Sequence, residues 1–387
     1  MVFVMTACAE NSSQSEKSQP AEQTTVQPTT MSAEEINDRK LDKFISDMTL
    51  EEKVGQMFFV RCPDEGAVQQ VSEYNIGGYI LFGRDFDGKT KDEVLDDIHS
   101  YQNEADIPLL IGVDEEGGTV VRVSSNPNLR ETPFLSPKDT YADGGWDAVK
   151  QDAEEKADLL LSLGINVNLA PVCDMTSDEY GFMYDRSFSS DVDMENRYVR
   201  TVVETSKSKK LGTVLKHFPG YGNNSDTHTG IAYDDRDYSE FENTDFKPFY
   251  QGIESGADCI LVSHNIVNCM DSEYPASLSQ KVHDILRNEF KFDGVIMTDD
   301  LIMDAITDFT GDEAAKCGND LLCCSSVDTQ YPAVLEAVQN GEIPEAQVDA
   351  SVKRILKWKQ NLGIFNIDTY QKKVKSTEPT DTVESEE

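Results

Sequence analysis

The chain has 387 residues, 38% of them hydrophobic, and sets 34 basic against 72 acidic side chains for a formal net charge of -38. That length supports one large domain or two ordinary ones, with a substantial buried core. No segment concentrates Lys and Arg as a phosphate-binding surface requires, so nucleic acid is not expected as a partner, and the acidic excess reads as a solvated surface.

At the N-terminus, Cys8 stands after the short apolar run from Met1 to Ala7 and is followed, beyond Ala9, by a polar stretch from Glu10 to Thr30. Small residues before a cysteine resemble the tail end of a bacterial lipoprotein signal, although the apolar run is shorter than a normal h-region and has no basic n-region. The expectation is a start upstream of Met1, a lipid on Cys8 and an extracellular, membrane-anchored location. Residues 1–31 then form a signal remnant and a tether with too few apolar side chains to offset its ordering entropy. No other stretch approaches the roughly 18 apolar residues of a membrane helix. Cys62, Cys173, Cys259, Cys269, Cys317, Cys323 and Cys324 are scattered without C-x-x-C spacing, so buried free thiols are expected rather than a metal site.

The folded region opens with two capping boxes, Ser32 with Glu35 and Thr49 with Glu52, the first followed by Leu41, Phe44, Ile45 and Met48 at helical spacing. Eight short apolar runs then predict strands at 57–60, 79–82, 109–113, 166–169, 213–215, 259–262, 295–298 and 321–324. Helical stretches at 91–103, 146–162, 195–210, 241–255, 280–290 and 331–339 lie between most of them. Continuously apolar strands alternating with helices predict a parallel sheet buried on both faces. Eight such units predict a (β/α)8 TIM barrel, a single catalytic domain over 32–371 with an acidic tail at 372–387. The rival, a doubly wound open sheet, lacks its main sign, because no G-x-G-x-x-G follows the first strand.

In a barrel of this type the reactive groups stand at the C-terminal ends of strands. Those ends carry Arg61, Asp114, Asp174, Lys216 with His217, Ser263 with His264, and Asp299. Alternation along the seventh strand puts Val295, Met297 and Asp299 on one face, so an inward Asp299 leaves Asp300 pointing away as the N-cap of the next helix.

Three segments carry a resemblance: Gly112-Val113-Asp114-Glu115-Glu116-Gly117-Gly118 through Arg122, Lys216-His217-Phe218-Pro219-Gly220 through His228, and Gly294-Val295-Ile296-Met297-Thr298-Asp299. With Asn168 through Asp174 and Asp185-Arg186-Ser187-Phe188, they resemble glycoside hydrolase family 3 in its β-N-acetylglucosaminidase branch, over about Leu41 to Phe365. The resemblance implies a retaining glycosidase that removes terminal β-linked N-acetylglucosamine from saccharides or peptidoglycan fragments. Asp299 matches the nucleophile, and His228, oriented by Asp226, matches the acid/base in place of the usual carboxylic acid. In an extended loop, residues two apart lean to one side, which lets Asp226 hold the His228 tautomer. By the same resemblance Asp114, Arg122, Arg186, Lys216 and His217 bind the sugar, with a structural salt bridge as the alternative for Arg122. Tyr221 stands where the family often has His.

The expected partner is a saccharide, and the chain is expected to act as a monomer without cofactor or metal. A metal-dependent barrel hydrolase would need an H-x-H on an early strand, and 57–62 has no His. A family 3 β-glucosidase, an N-acetylglucosaminide phosphorylase and a catalytically silent sugar-binding lipoprotein remain as alternatives.

Overall fold

The eight apolar runs pair edge to edge, all parallel, and curl into a barrel. The computed structural model describes residues 1–2, 31–224, 232–303 and 311–373. The strands are β1 (Phe58–Arg61), β2 (Gly78–Leu81), β3 (Leu110–Val113), β4 (Val167–Asn168), β5 (Gly212–Phe218), β6 (Cys259–Val262), β7 (Val295–Thr298) and β8 (Leu322–Cys324). Seven of the neighbouring pairs form parallel ladders, with β8 beside β1 and a register shift between β5 and β6 after Leu215. The circle closes between β7 and β8 through a parallel bridge from Met297 to Leu321, with Thr298 N–H donating to the Leu321 carbonyl at 3.1 Å. Closure rules out the open doubly wound sheet.

Because successive side chains along a strand point to opposite faces, one set of side chains fills the barrel. Phe59 points inward from β1, and Gly78 and Gly112 make room for its ring: a Cβ on Gly112 would lie 2.5 Å from Phe59 Cζ, and one on Gly78 2.9 Å from its Cδ2. The bottom of the barrel is therefore packed with an aromatic ring, while the residues one step toward the strand C-termini are left to form a site.

Helices α1 (Ala33–Ser46) and α2 (Leu50–Gln56) begin at the predicted caps, with Ser32 and Glu35, and Thr49 and Glu52, exchanging reciprocal side-chain-to-backbone bonds. Further helices pack outside the barrel: α3 (Ala67–Tyr74), α4 (Lys91–Glu104), α5 (Pro137–Ser162), α6 (Val192–Lys209), α7 (Tyr238–Asn243), α8 (Phe246–Ser255), α9 (Gln280–Asp284), α10 (Gly311–Lys316), α11 (Val327–Gln339) and α12 (Glu345–Asn361). The helix expected over 241–255 is two. Thr244, at φ -127° and ψ -84°, breaks it, and its hydroxyl bonds the Glu240 carbonyl and the Asp245 carboxylate instead of leaving the backbone to continue. Asp245 in turn pairs with Arg236, so the break serves an ion pair. The described cysteines are free, and all but Cys269 are buried. No helix among the described residues is long and apolar enough to cross a membrane.

Candidate active site

A cavity of about 380 Å³ opens at the C-terminal ends of the strands. Its wall shows the alternation directly: Arg61 on β1, Ile80 on β2, Leu261 on β6 and Cys323 on β8, with Leu169 and Asp299 just past β4 and β7, are the inward residues of their strands. Every sugar-binding residue expected from the sequence lines this one cavity: Asp114, Arg122, Arg186, Lys216 and His217, together with Asp299.

The polar floor is built around Glu116, a residue for which sequence reasoning gave no role. Lys216, at the end of β5, reaches Asp114 at 2.6 Å and Glu116 at 2.7 Å. Arg186 grips the same Glu116 carboxylate with two N–H groups, Nε at 3.0 Å and Nη2 at 2.7 Å, the bidentate geometry that suits guanidinium to carboxylate. Burial alone raises the Glu116 pKa, but the adjacent Lys216 and Arg186 outweigh it and hold the carboxyl well below its usual range. Lys216 stays charged for the reciprocal reason: burial disfavours its ammonium, and Asp114 and Glu116 push its pKa above the ordinary value. The outcome is a fixed array of donors, spread by carboxylates, facing the cavity. Neighbouring Glu115 is structural. Its carboxylate accepts from the N–H groups of Arg122, Val123 and Ser124 at 2.9, 2.7 and 3.3 Å, and so shapes the loop that carries Arg122.

His217 is held by Asp174, which lies just beyond β4. One Asp174 oxygen accepts both the His217 backbone N–H at 2.9 Å and Nδ1 at 2.7 Å, and the other accepts the Tyr221 N–H at 2.7 Å. Arg186 can only donate, so its Nη2 contact of 3.4 Å with His217 Nε2 makes Nε2 the acceptor and Nδ1 the proton carrier. Tyr221, where the family often has His, is buried with its ring set edge-on to His217 at 5.3 Å and to Phe182 at 5.0 Å. It braces the His217 wall.

Asp299 follows β7, and its backbone N–H donates to the Val262 carbonyl of β6 at 3.1 Å. Asp300 corrects the sequence reading. Among the described residues it caps no helix, the chain from Leu301 to Met303 being a turn; it lines the same cavity, accepts the Ile302 N–H at 3.2 Å in an Asx turn and takes the Ser325 hydroxyl at 2.6 Å. Burial raises its pKa. Its own N–H donates to Asp299 Oδ1 at 2.9 Å. Period-two alternation failed there because the strand ends at Thr298 and the chain turns.

Opposite, the Arg61 and Arg122 guanidinium carbons lie 4.4 and 5.8 Å from the centroid of the Phe82 ring. The buried Nε of each has no hydrogen-bond partner among the described residues. Both side chains line the cavity. Asp226 and His228 lie outside the described residues, as does Cys8. Among the described residues no cluster of His, Cys, Asp and Glu is arranged to hold a metal ion.

Residues 49–358 match the glycosyl hydrolase family 3 N-terminal domain. A beta-hexosaminidase of Nitrosomonas eutropha is 32% identical over 273 residues, covering 67% of this chain and 77% of the relative, and one of Hydrogenovibrio crunogenus is 30% identical over 286 residues, covering 70% and 79%. Among solved structures, a family 3 β-N-acetylglucosaminidase from a Paenibacillus species superposes with a TM-score of 0.77 at 28% identity, over 85% of this chain and 65% of that longer one. A family 3 glycosyl hydrolase from Mycobacterium smegmatis superposes with a TM-score of 0.71 at 27% identity, over 81% of this chain and 98% of that one.

Proposed function

The chain belongs to glycosyl hydrolase family 3, and from that premise we propose that it is a retaining β-N-acetylhexosaminidase that removes terminal β-linked N-acetylglucosamine, with Asp299 as nucleophile and His228, oriented by Asp226, as acid/base. The observation that carries this reading is the placement of Asp299 on the inward face beyond β7, in one cavity with Asp114, Arg122, Arg186, Lys216 and His217. The relatives named beta-hexosaminidase supply the substrate class.

In this reading the donors of Lys216, Arg186 and Arg122 and the acceptor Asp114 hold the hydroxyl and acetamido oxygens of one sugar, with His217 completing the wall, and those bonds tighten as the ring flattens toward an oxocarbenium ion. Asp299 attacks the anomeric carbon. The bond to the leaving oxygen breaks, its electron pair goes to that oxygen, and the imidazolium of His228 supplies the proton. Water then gives a proton to His228 and attacks the same carbon from the face the leaving group vacated. The Asp299 carboxylate departs, and the configuration is retained. The Asp300 N–H on Asp299 Oδ1 orients the carboxylate that attacks and later departs.

The test is hydrolysis of 4-nitrophenyl N-acetyl-β-D-glucosaminide by the wild type and by Asp299→Ala, with proton NMR of the first-formed anomer. Turnover with retention, and a loss of about 10⁴-fold or more in the variant, is expected. A folded wild type without turnover, or inversion at the anomeric centre, overturns the reading. The same proposal has the protein acting as a monomer on saccharides or peptidoglycan fragments at a membrane surface, anchored by a lipid on Cys8. Light scattering, and mass spectrometry of the membrane-extracted protein, check those two points.

A further inference from the structure

His264 stands two residues beyond the end of β6, fully buried, and takes no part in the chemistry described above. Its ring has two defined partners. Nε2 lies 3.1 Å from the Asp300 carbonyl and Nδ1 lies 2.6 Å from the Ser277 hydroxyl. A carbonyl only accepts, so Nε2 carries the proton and donates. Nδ1 of the neutral ring then accepts from Ser277.

Asp300 is the residue whose N–H donates to Asp299 Oδ1 at 2.9 Å. Its two backbone polar groups are therefore committed in opposite directions, the N–H toward the carboxylate that would attack the sugar and the C=O toward His264. Holding the carbonyl restrains the peptide unit between Asp300 and Leu301 and, through the two backbone dihedrals of Asp300, limits the directions its N–H can take. The Leu301 N–H, on the same peptide unit as the Asp300 carbonyl, donates to the Cys323 carbonyl at 3.0 Å, so His264 and β8 hold that unit from its two sides.

The strap is itself braced. Ser277, also fully buried, donates its N–H to the Ser263 carbonyl at 2.9 Å, and its own carbonyl accepts from the side-chain amide of buried Asn319 at 2.7 Å. Ser263, next to His264, bonds the Phe218 carbonyl through its N–H at 2.9 Å and its hydroxyl at 3.1 Å. Phe218 follows His217. One buried polar cluster thus ties the nucleophile's loop to the wall that binds the sugar.

We propose that His264 is a positioning residue for the nucleophile: by holding the Asp300 carbonyl, its Nε2–H keeps the Asp300 N–H aimed at Asp299 and so sets the carboxylate for attack. The inference rests on the glycosidase reading with Asp299 as nucleophile.

Three variants test it, with steady-state kinetics on 4-nitrophenyl N-acetyl-β-D-glucosaminide and the single-turnover rate of nitrophenol release. His264→Leu removes the donor, and kcat and the single-turnover rate are expected to fall about 100-fold, the cost of an ångström-scale misplacement, with KM within about threefold of wild type. His264→Gln returns an amide N–H near the Nε2 position and is expected to recover most of that loss. Ser277→Ala frees Nδ1 and is expected to lower kcat about tenfold at unchanged KM, and it carries the test if His264→Leu does not fold. A folded His264→Leu with kcat within threefold of wild type, equal losses in the Leu and Gln variants, a loss confined to KM, or a Ser277→Ala enzyme with wild-type kcat each overturns the proposal. A wild type without turnover overturns the glycosidase reading and this inference with it, whereas an active wild type with an equally active His264→Leu overturns this inference alone.

Discussion

Glu116 and Lys216 meet at 2.7 Å with both side chains almost wholly withdrawn from solvent, and the same Glu116 carboxylate is gripped by Arg186. Breaking such a pair from one side strands the partner charges, which costs about 3–5 kcal/mol. Glu116→Gln is therefore expected to lower the urea unfolding free energy by about 3 kcal/mol and to raise KM, because Lys216 and Arg186 lose the group that aims them. The pH dependence has a definite sign. The folded-state pKa of Glu116 is depressed below its ordinary value of 4.5, so its stabilisation is complete above that value and is lost as pH falls toward the folded-state pKa. The wild type should lose stability across acid pH more steeply than Glu116→Gln, and parallel acid-unfolding curves would contradict the assignment.

Asp174 accepts three hydrogen bonds, two from His217 and one from Tyr221. Asp174→Ala leaves the His217 ring free to rotate and strands buried N–H groups, each costing about 1–3 kcal/mol. Weaker sugar binding is expected, with KM raised about tenfold or more, alongside a lower melting temperature. An unchanged KM in a folded variant would remove His217 from the sugar-binding wall.

For His228, the expectation concerns the leaving group. Protonation matters most when the departing oxygen is basic, and positioned acid catalysis contributes about 10² to 10⁴-fold. His228→Ala should therefore lose far more activity on an alkyl glycoside or a disaccharide than on the 4-nitrophenyl glycoside. Uniform losses across leaving groups would assign His228 another role.

Lys359, on α12, is fully buried, and its ammonium meets the Gln56 side-chain oxygen at 2.7 Å. Burial brings its pKa down from 10.5 to about 7. Between those values the unfolded chain holds a proton that the folded chain has released, so this group makes stability rise with pH, by up to about 1.4 kcal/mol per unit. Lys359→Met should flatten that rise. Chemical denaturation of both proteins between pH 7 and 10 measures it, and identical slopes would show that Lys359 keeps its proton throughout.

Much of this architecture is legible in the sequence because the physics is local. The eight apolar runs need burial on both faces, and Ser32 with Glu35 and Thr49 with Glu52 write helix starts within four residues. That Asp114, Arg122, Arg186, Lys216 and His217 gather at one cavity was also legible, but through family resemblance, since nothing local says that Arg186 will meet Glu116 seventy residues earlier in the chain. What was missed depends on that kind of long-range closure. Glu116 sits among acidic and glycine residues with no periodic signal. Asp300 looked like a cap because Asp after a strand commonly is one, yet Ser325 and the Asx turn with Ile302 recruit it to the cavity. His264 was visible as a strand-end residue, but its partners Ser277 and the Asp300 carbonyl appear only once the chain has folded.

The Phe59 ring packed into the barrel beneath the site, in the space left by Gly78 and Gly112, has a consequence for traffic. Among the described residues the ring closes the barrel end of the cavity, so a freed sugar is expected to leave toward the side from which the next chain end arrives. Departure and arrival then compete for one opening, and accumulating monosaccharide is expected to slow turnover.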